Sequence, residues 1–257
     1  MINTFGNNFW SILFICIISD SYCKVCWICN DNICTRDITH HSFFDKIKRK
    51  LIGGYYFLEK GLSFQIEHKN CTKNTYIEGY FQSEKYFVAI QNKIRQHFTF
   101  KTKTNTQTKA LALKIKKQQP IAIHIRRGDY VKNKLINQTH GTCNIDYYKK
   151  ALKLFDLKNH ELYFFSDDIN WVKDNFDFIN LKKATFIDWN IGQDSWQDMY
   201  LMSLCQNFII ANSSFSWWGA WLSTYKDKKI IAPKQWFNDE IKNNQTKDLI
   251  PNNWIRI

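Results

Sequence analysis

Ile121-Ala122-Ile123-His124-Ile125-Arg126-Arg127-Gly128-Asp129-Tyr130-Val131 is the stretch whose reading decides the fold. It opens as an apolar run, as a buried strand does, and then delivers a His, two Arg, a Gly and an Asp. A strand that ends this way sets its polar cluster at the carboxyl edge of a sheet, where open α/β sheets hold their ligands. Adjacent arginines cannot point the same way, so one faces the crevice and the other props the loop. An Arg fixed there offers a planar fork of donors suited to phosphate. Spacing alone also fits a surface strand ending in a salt-bridged RRGD turn.

Outward from this strand the pattern is regular. Further short apolar runs at 162–165, 184–187, 208–211 and 229–232 read as strands. Helical patterns at 145–155, from Ser166 or Asp167 to 176, from Asp194 or Ser195 to 205, and at 215–224 alternate with them. Short buried strands alternating with helices imply a parallel sheet covered on both faces. This predicts an α/β fold with a Rossmann-like domain over 120–257 and an N-terminal domain over 1–119. The loops after the strands are the polar ones: RRGDY, SDD, DWN and NSS.

The loop Asn212-Ser213-Ser214 stands between a strand and a helix, where backbone N–H groups and hydroxyls form a receptor for an anion. Plain helix capping fits the same residues. Neither GxxxxGK[ST] nor GxGxxG occurs, which argues against a P-loop NTPase and a dinucleotide enzyme. The doublet Asp167-Asp168 reads as a helix cap, and no D-x-D lies in this half. Charge neutralisation by Arg and a helix dipole, without a metal ion, is the expectation.

The chain before this domain reads differently. Residues 1–36 hold an apolar patch and a C-x2-C-x2-C-x4-C run from Cys23 to Cys34. No second CxxC or His pair completes a zinc site, and the last gap is wrong for a bacterial iron–sulfur motif, so no metal is expected. Cys71, Cys143 and Cys205 read as small core residues. An amphipathic helix over 41–51, a strand over 75–81 and a helix capped by Ser83 follow. Residues 99–119 read as a linker with a short helix at 110–117.

Of the 257 residues, 44% are hydrophobic and 16% aromatic, with ten Trp, so core material and ring-stacking platforms are ample. A formal charge of +13 favours anionic partners: nucleotide, nucleic acid or an acidic membrane surface. The cations are spread along the chain and no RNA- or DNA-binding motif appears, so nucleic acid is not the expected partner. No run is long enough to span a membrane, and residues 9–18 lack the basic lead of a signal peptide. A cytoplasmic protein, or one peripheral to a membrane, is expected.

HIRRGDYV (124–131), GYFQSEKYF (79–87), FFSDDINWV (164–172) and DMYLMSLCQNFIIANSSFSWWGAWLS (198–223) together resemble the alpha-1,2-fucosyltransferases of glycosyltransferase family 11. The resemblance runs from about residue 43 to the closing PNNWIRI. It implies a GT-B-like fold and inverting, metal-independent transfer of L-fucose from GDP-fucose to the 2-hydroxyl of a galactose in a glycan. It also implies that Arg126 binds the diphosphate and stabilises it as it leaves, that His124 contacts the nucleotide, and that Ser213, Ser214 and Ser216 lie near the phosphates. Asp188 is the candidate for the guanine N1–H and N2–H₂ edge, since a carboxylate suits two donors. Asp129 and His140 are the candidates for a general base. Arg127 and Asp129 are expected to brace the loop as a local pair, with Tyr130 stacking or filling core.

The resemblance fails at the start. Family members open with a Gly-rich GxGNQ-like segment, of which only GNN (6–8) is a trace, so a shortened, irregular N-terminal domain is expected. The alternative to a working transferase is an impaired nucleotide-sugar- or glycan-binding remnant.

Overall fold

A computed structural model describes residues 55–71, 75–98, 100 and 103–257. The Cys run, the apolar patch and the helix expected over 41–51 lie outside the described residues. The chain divides into two compact units, one built from Arg95–Asn244 and Ile250–Ile257, the other from residues up to Ile94 with Gln245–Leu249.

In the second unit β1 (Tyr55–Leu58) and β2 (Thr75–Glu78) pair in parallel, Tyr55 opposite Thr75. The strand expected over 75–81 stops at Glu78, because the N–H groups of Tyr80 and Phe81 turn to Glu59 Oε2 at 2.8 and 2.7 Å. Phe81 takes a left-handed φ of 47°. Such a φ is costly for a bulky residue and is held here by the surrounding bonds. Tyr86 Oη donates to Glu59 Oε1 at 2.9 Å, so the buried carboxylate is triply satisfied. Burial nonetheless pushes its pKa up. Gly79 lies so close that a Cβ there would strike the Glu59 side chain. Ser83 does cap, accepting from Lys85 N at 3.3 Å, but it opens two 3-10 turns before α1 (Gln91–His97) begins.

The first unit holds the Rossmann-like sheet. Its strands are β3 (Pro120–Ile125), β4 (Glu161–Ser166), β5 (Ala184–Ile187), β6 (Asn207–Ile209), β7 (Ile230–Ala232) and β8 (Ile255–Arg256). The order is β5-β4-β3-β6-β7-β8, with every pairing parallel. Renumbered from β3, this is the 3-2-1-4-5-6 order of doubly wound nucleotide-binding sheets, whose winding reverses between the first and fourth strands.

The helix at the start of this unit, α2 (Thr106–Ile115), begins earlier than the expected 110–117, because Asn105 Oδ1 accepts from Thr108 N at 2.8 Å and caps it there. After β3 come α3 (Gly128–Lys132), α4 (Lys134–His140) and α5 (Ile145–Leu152). Then follow α6 (Ile169–Asn175), α7 (Trp196–Ser203), α8 (Ser214–Leu222) and α9 (Glu240–Asn244).

All six residues of β3 are buried, as a strand covered on both faces requires. Ile121, Ile123 and Ile125 enter one cluster with Tyr148 and Leu152 of α5, Val172 of α6 and Phe164 of β4. Burying each such side chain contributes about 1.5–3 kcal/mol. The alternate residues Ala122 and His124 face the other side, where His124 meets Phe215 of α8. That helix, with its three buried Trp, crosses α7 closely: a Cβ on Gly219 would sit 3.0 Å from Met202 Cβ. Lys228 Nζ donates to Ala220 O, Trp221 O and Ser223 O and so satisfies carbonyls that the helix end leaves open. Cys205 is fully buried, as expected of a small core residue.

Candidate active site

β3 and β6 are neighbours at the reversal of the winding, so the loops that follow them flank a crevice at the carboxyl edge. Arg126 leaves the end of β3 and is held by two carboxylates. Its Nη1 lies 2.9 Å from Asp167 Oδ2 and its Nη2 2.6 Å from Asp129 Oδ1. The guanidinium plane is thereby fixed while further N–H groups remain for a ligand. Its carbon also lies 5.2 Å from the centre of the Tyr130 ring.

Arg127 turns the other way. Its Nε bonds Asp168 Oδ2 at 3.1 Å and its guanidinium stacks 3.7 Å over Trp171. Arg127 and Asp129 are therefore not a pair. Asp129 lies one turn on from Arg126 and faces it, whereas Arg127 points toward β4. The doublet Asp167-Asp168 is likewise no helix cap. Asp167 accepts from Arg127 N at 2.8 Å besides holding Arg126, and Asp168, at the N-cap of α6, makes no capping bond. Gly128 permits this approach, since a Cβ there would lie 2.5 Å from Asp167 Oδ2.

His124 is 5% exposed, its ring stacked on Phe215 at 5.4 Å, and its Nδ1 has no hydrogen-bond partner. Burial drives its pKa down to about 3, against the charge of Asp167 and with that of Arg126. The imidazole is neutral at neutral pH, and its Nδ1 is a buried polar atom left unused. His140 stacks on Tyr130 at 4.8 Å, and its pKa is also lowered, first by burial and then by Lys242. Burial holds the Tyr130 phenol up at about 12.

On the β6 side Asn212 is a brace: its Nδ2 donates to His140 O at 2.9 Å and to Trp236 O at 3.1 Å. Ser213 occupies the N-cap of α8, yet its hydroxyl makes no capping bond to the helix. Ser214 opens the helix. Ser216 is fully buried and donates to Ser213 O at 3.1 Å, so its hydroxyl is turned into its own helical turn. Asp188 stands apart. It follows β5, an edge strand, is exposed, and pairs with Lys173 at 2.8 Å.

Sequence reasoning missed Asp198. It lies in the first turn of α7, is 9% exposed, and accepts one bond, from Asn190 Nδ2 at 2.8 Å. Burial raises its pKa to about 7, partly offset by that bond. Helices α7 and α8 both start at the carboxyl edge, and Met202 packs on Gly219 where they touch. A buried carboxylate with a displaced pKa is a candidate for a functional role, and through Asn190 this one joins a network with Asn105 and Thr108 of α2.

Comparison with known proteins shows the family. The family model described as glycosyl transferase family 11 matches residues 26–257. An alpha-1,2-colitosyltransferase of Escherichia coli is 40% identical over 183 residues, covering 70% of this chain and 61% of that protein. The O-antigen biosynthesis glycosyltransferase WbnK of Escherichia coli is 39% identical over 138 residues, 53% of this chain and 44% of its own. A galactoside alpha-(1,2)-fucosyltransferase 1 of Alouatta belzebul is 22% identical over 158 residues, 57% of this chain and 42% of its own. The chain thus spans about half the length of the curated relatives it matches. Among the described residues no helix is long and apolar enough to cross a membrane. With the motifs, the parallel six-stranded sheet and a family match over most of its length in accord, the chain belongs to glycosyl transferase family 11.

Proposed function

We propose that the chain is an inverting, metal-independent transferase of GT-B type that moves L-fucose from GDP-fucose to the 2-hydroxyl of a galactose in a glycan. The observation that carries this reading is the pairing, across the sheet's reversal point, of a carboxylate-clamped Arg126 after β3 with the N-terminus of α8 after β6. Both are suited to an anion. As the bond between the sugar's anomeric carbon and the diphosphate oxygen breaks, negative charge grows on GDP and positive charge on the ring. Arg126, Ser213, Ser214 and the dipole of α8 stabilise the first, most strongly where water is excluded. The galactose hydroxyl bonds to the anomeric carbon from the opposite face and yields its proton to a base, for which Asp129 is proposed. Neutral His124 hydrogen-bonds the nucleotide. Asp188 and Asp198 are rival partners for the guanine edge, the first exposed, the second buried and single-bonded.

A second reading exchanges the donor sugar for colitose, and the 40% identity to an alpha-1,2-colitosyltransferase favours it. Colitose is fucose without its 3-hydroxyl, so the GDP half of the site is unchanged. The test is to incubate the full chain with GDP-fucose or GDP-colitose and lactose, in EDTA, and to look for glycosylated lactose and free GDP. Product from GDP-fucose is expected. Product from GDP-colitose alone selects the second reading, and GDP binding without product from either donor selects a donor-binding remnant.

A further inference from the structure

The opposite edge of the same sheet carries a second charged feature that the transfer reaction does not use. In a parallel sheet every strand begins at one edge, and here the segments entering that edge are rich in lysine. Lys116 and Lys117 precede β3, Lys158 precedes β4, Lys182 and Lys183 precede β5, and Lys229 precedes β7. These entries form one surface. Lys183 Nζ reaches Lys158 O, and Lys229 Nζ donates to Leu154 O at 2.9 Å. Lys116 and Lys117 line an open hollow with Asn159 of the β4 entry.

None of the six makes a salt bridge with a described residue, whereas the ion pairs of this unit, Arg126–Asp129, Arg126–Asp167, Arg127–Asp168 and Lys173–Asp188, all stand at the carboxyl edge. Five acids stand at or next to the amino edge, Asp156, Glu161, Asp174, Asp177 and Asp227, while Lys153 and Lys226 add to the six lysines. Asp156 is already engaged, accepting from Lys158 N and Asn159 Nδ2. The surface therefore presents net positive charge. Leu113 and Leu154, 59% and 41% exposed, lie at or next to it and add apolar side chains.

We propose that this amino edge is the surface by which the protein rests on an anionic phospholipid bilayer. Lysines that no carboxylate neutralises and a few exposed leucines suit a charged lipid surface. The bases of a nucleic acid would instead call for exposed aromatic platforms. Of the aromatics at this edge, Phe155 is partly buried and covered by Lys229 at 5.2 Å, and Phe178, 38% exposed, is covered by Lys149 at 4.9 Å. Each lysine at such a surface strengthens binding by roughly fivefold.

The test is co-sedimentation of the full chain with vesicles of phosphatidylcholine alone or with about one-third phosphatidylglycerol. The wild type should pellet with the anionic vesicles only, and less as salt rises. The combined variant Lys116→Glu, Lys117→Glu, Lys158→Glu, Lys183→Glu should lose at least about 100-fold in binding. Its thermal midpoint and GDP affinity should be unchanged, and a matching Lys→Gln set serves if the Glu set misfolds. Equal binding of wild type and variant, equal binding to neutral vesicles, or no vesicle binding would each overturn the proposal. Release of the protein from anionic vesicles by duplex DNA at equal phosphate concentration would also overturn it, pointing to nucleic acid.

Discussion

At the carboxyl edge of the sheet, Arg126 and Arg127 are clamped by carboxylates from two loops. At the amino edge, Lys116, Lys117, Lys158 and Lys229 are exposed and have no carboxylate partner among the described residues. Both edges carry cations, and the difference lies in what is held still. A clamped, planar guanidinium has already lost its rotamer freedom and meets a diphosphate in one orientation. Ammonium groups that no carboxylate holds offer charge with little fixed geometry, which suits an extended surface. Net charge alone therefore does not locate the site; immobilised charge does.

The comparison breaks most severely at Arg126. Arg126→Ala should lower turnover by roughly 100- to 1,000-fold while the thermal midpoint is kept, as for removal of one transition-state donor. Steady-state kinetics beside a melting curve checks it.

A smaller effect separates the two rival carboxylates. Asp198→Asn should weaken discrimination of GDP from ADP by roughly 10- to 100-fold, about 1–3 kcal/mol for a base-edge contact. Asp188→Asn, exposed and paired with Lys173, should change it by less than about threefold. The reverse ranking in competition binding would restore Asp188 as the reader of the base. Asp198→Asn should also stabilise the ligand-free protein at pH 8. Its folded pKa of about 7 lies above the ordinary aspartate value of 3.8, so the unfolded state ionises first and stability falls as pH rises through that window.

His124 gives a third handle. Its folded pKa of about 3 lies below the ordinary 6.5, so its neutral burial stabilises fully above pH 6.5 and progressively less as pH falls toward 3. His124→Phe should flatten that acid loss in chemical denaturation, by about 2–4 kcal/mol near pH 3. Smallest of all, the lysine-edge variant should leave GDP affinity within about twofold, since exposed charges farther than a Debye length are screened.

Much of the fold was legible in the sequence because the strands are written in apolar residues that no loop would carry. Residues 121–125 and 184–187 read as strands and are strands. Helices α3 and α4 escaped notice since neither has an apolar period, and β8 is only two residues long. At the site, His124, Arg126 and the NSS loop announce themselves by following apolar strands. Their partners do not. That Asp129 turns to Arg126, and that Asp167 reaches across from β4, is fixed by side-chain direction and strand order, not by spacing along the chain. Asp198 was hidden for a related reason: an acid in a first helical turn reads as an ordinary companion of the helix dipole. Only its burial against Asn190 marks it out.

Titration calorimetry of GDP into the full chain in EDTA, with wild type and Arg126→Ala side by side, tests the central claim that the carboxyl-edge crevice is the donor site. The account predicts one GDP bound by the wild type, with affinity at least about tenfold weaker in the variant, as loss of a charged contact to phosphate requires. No GDP binding by the wild type, or equal affinity in both proteins, would contradict it.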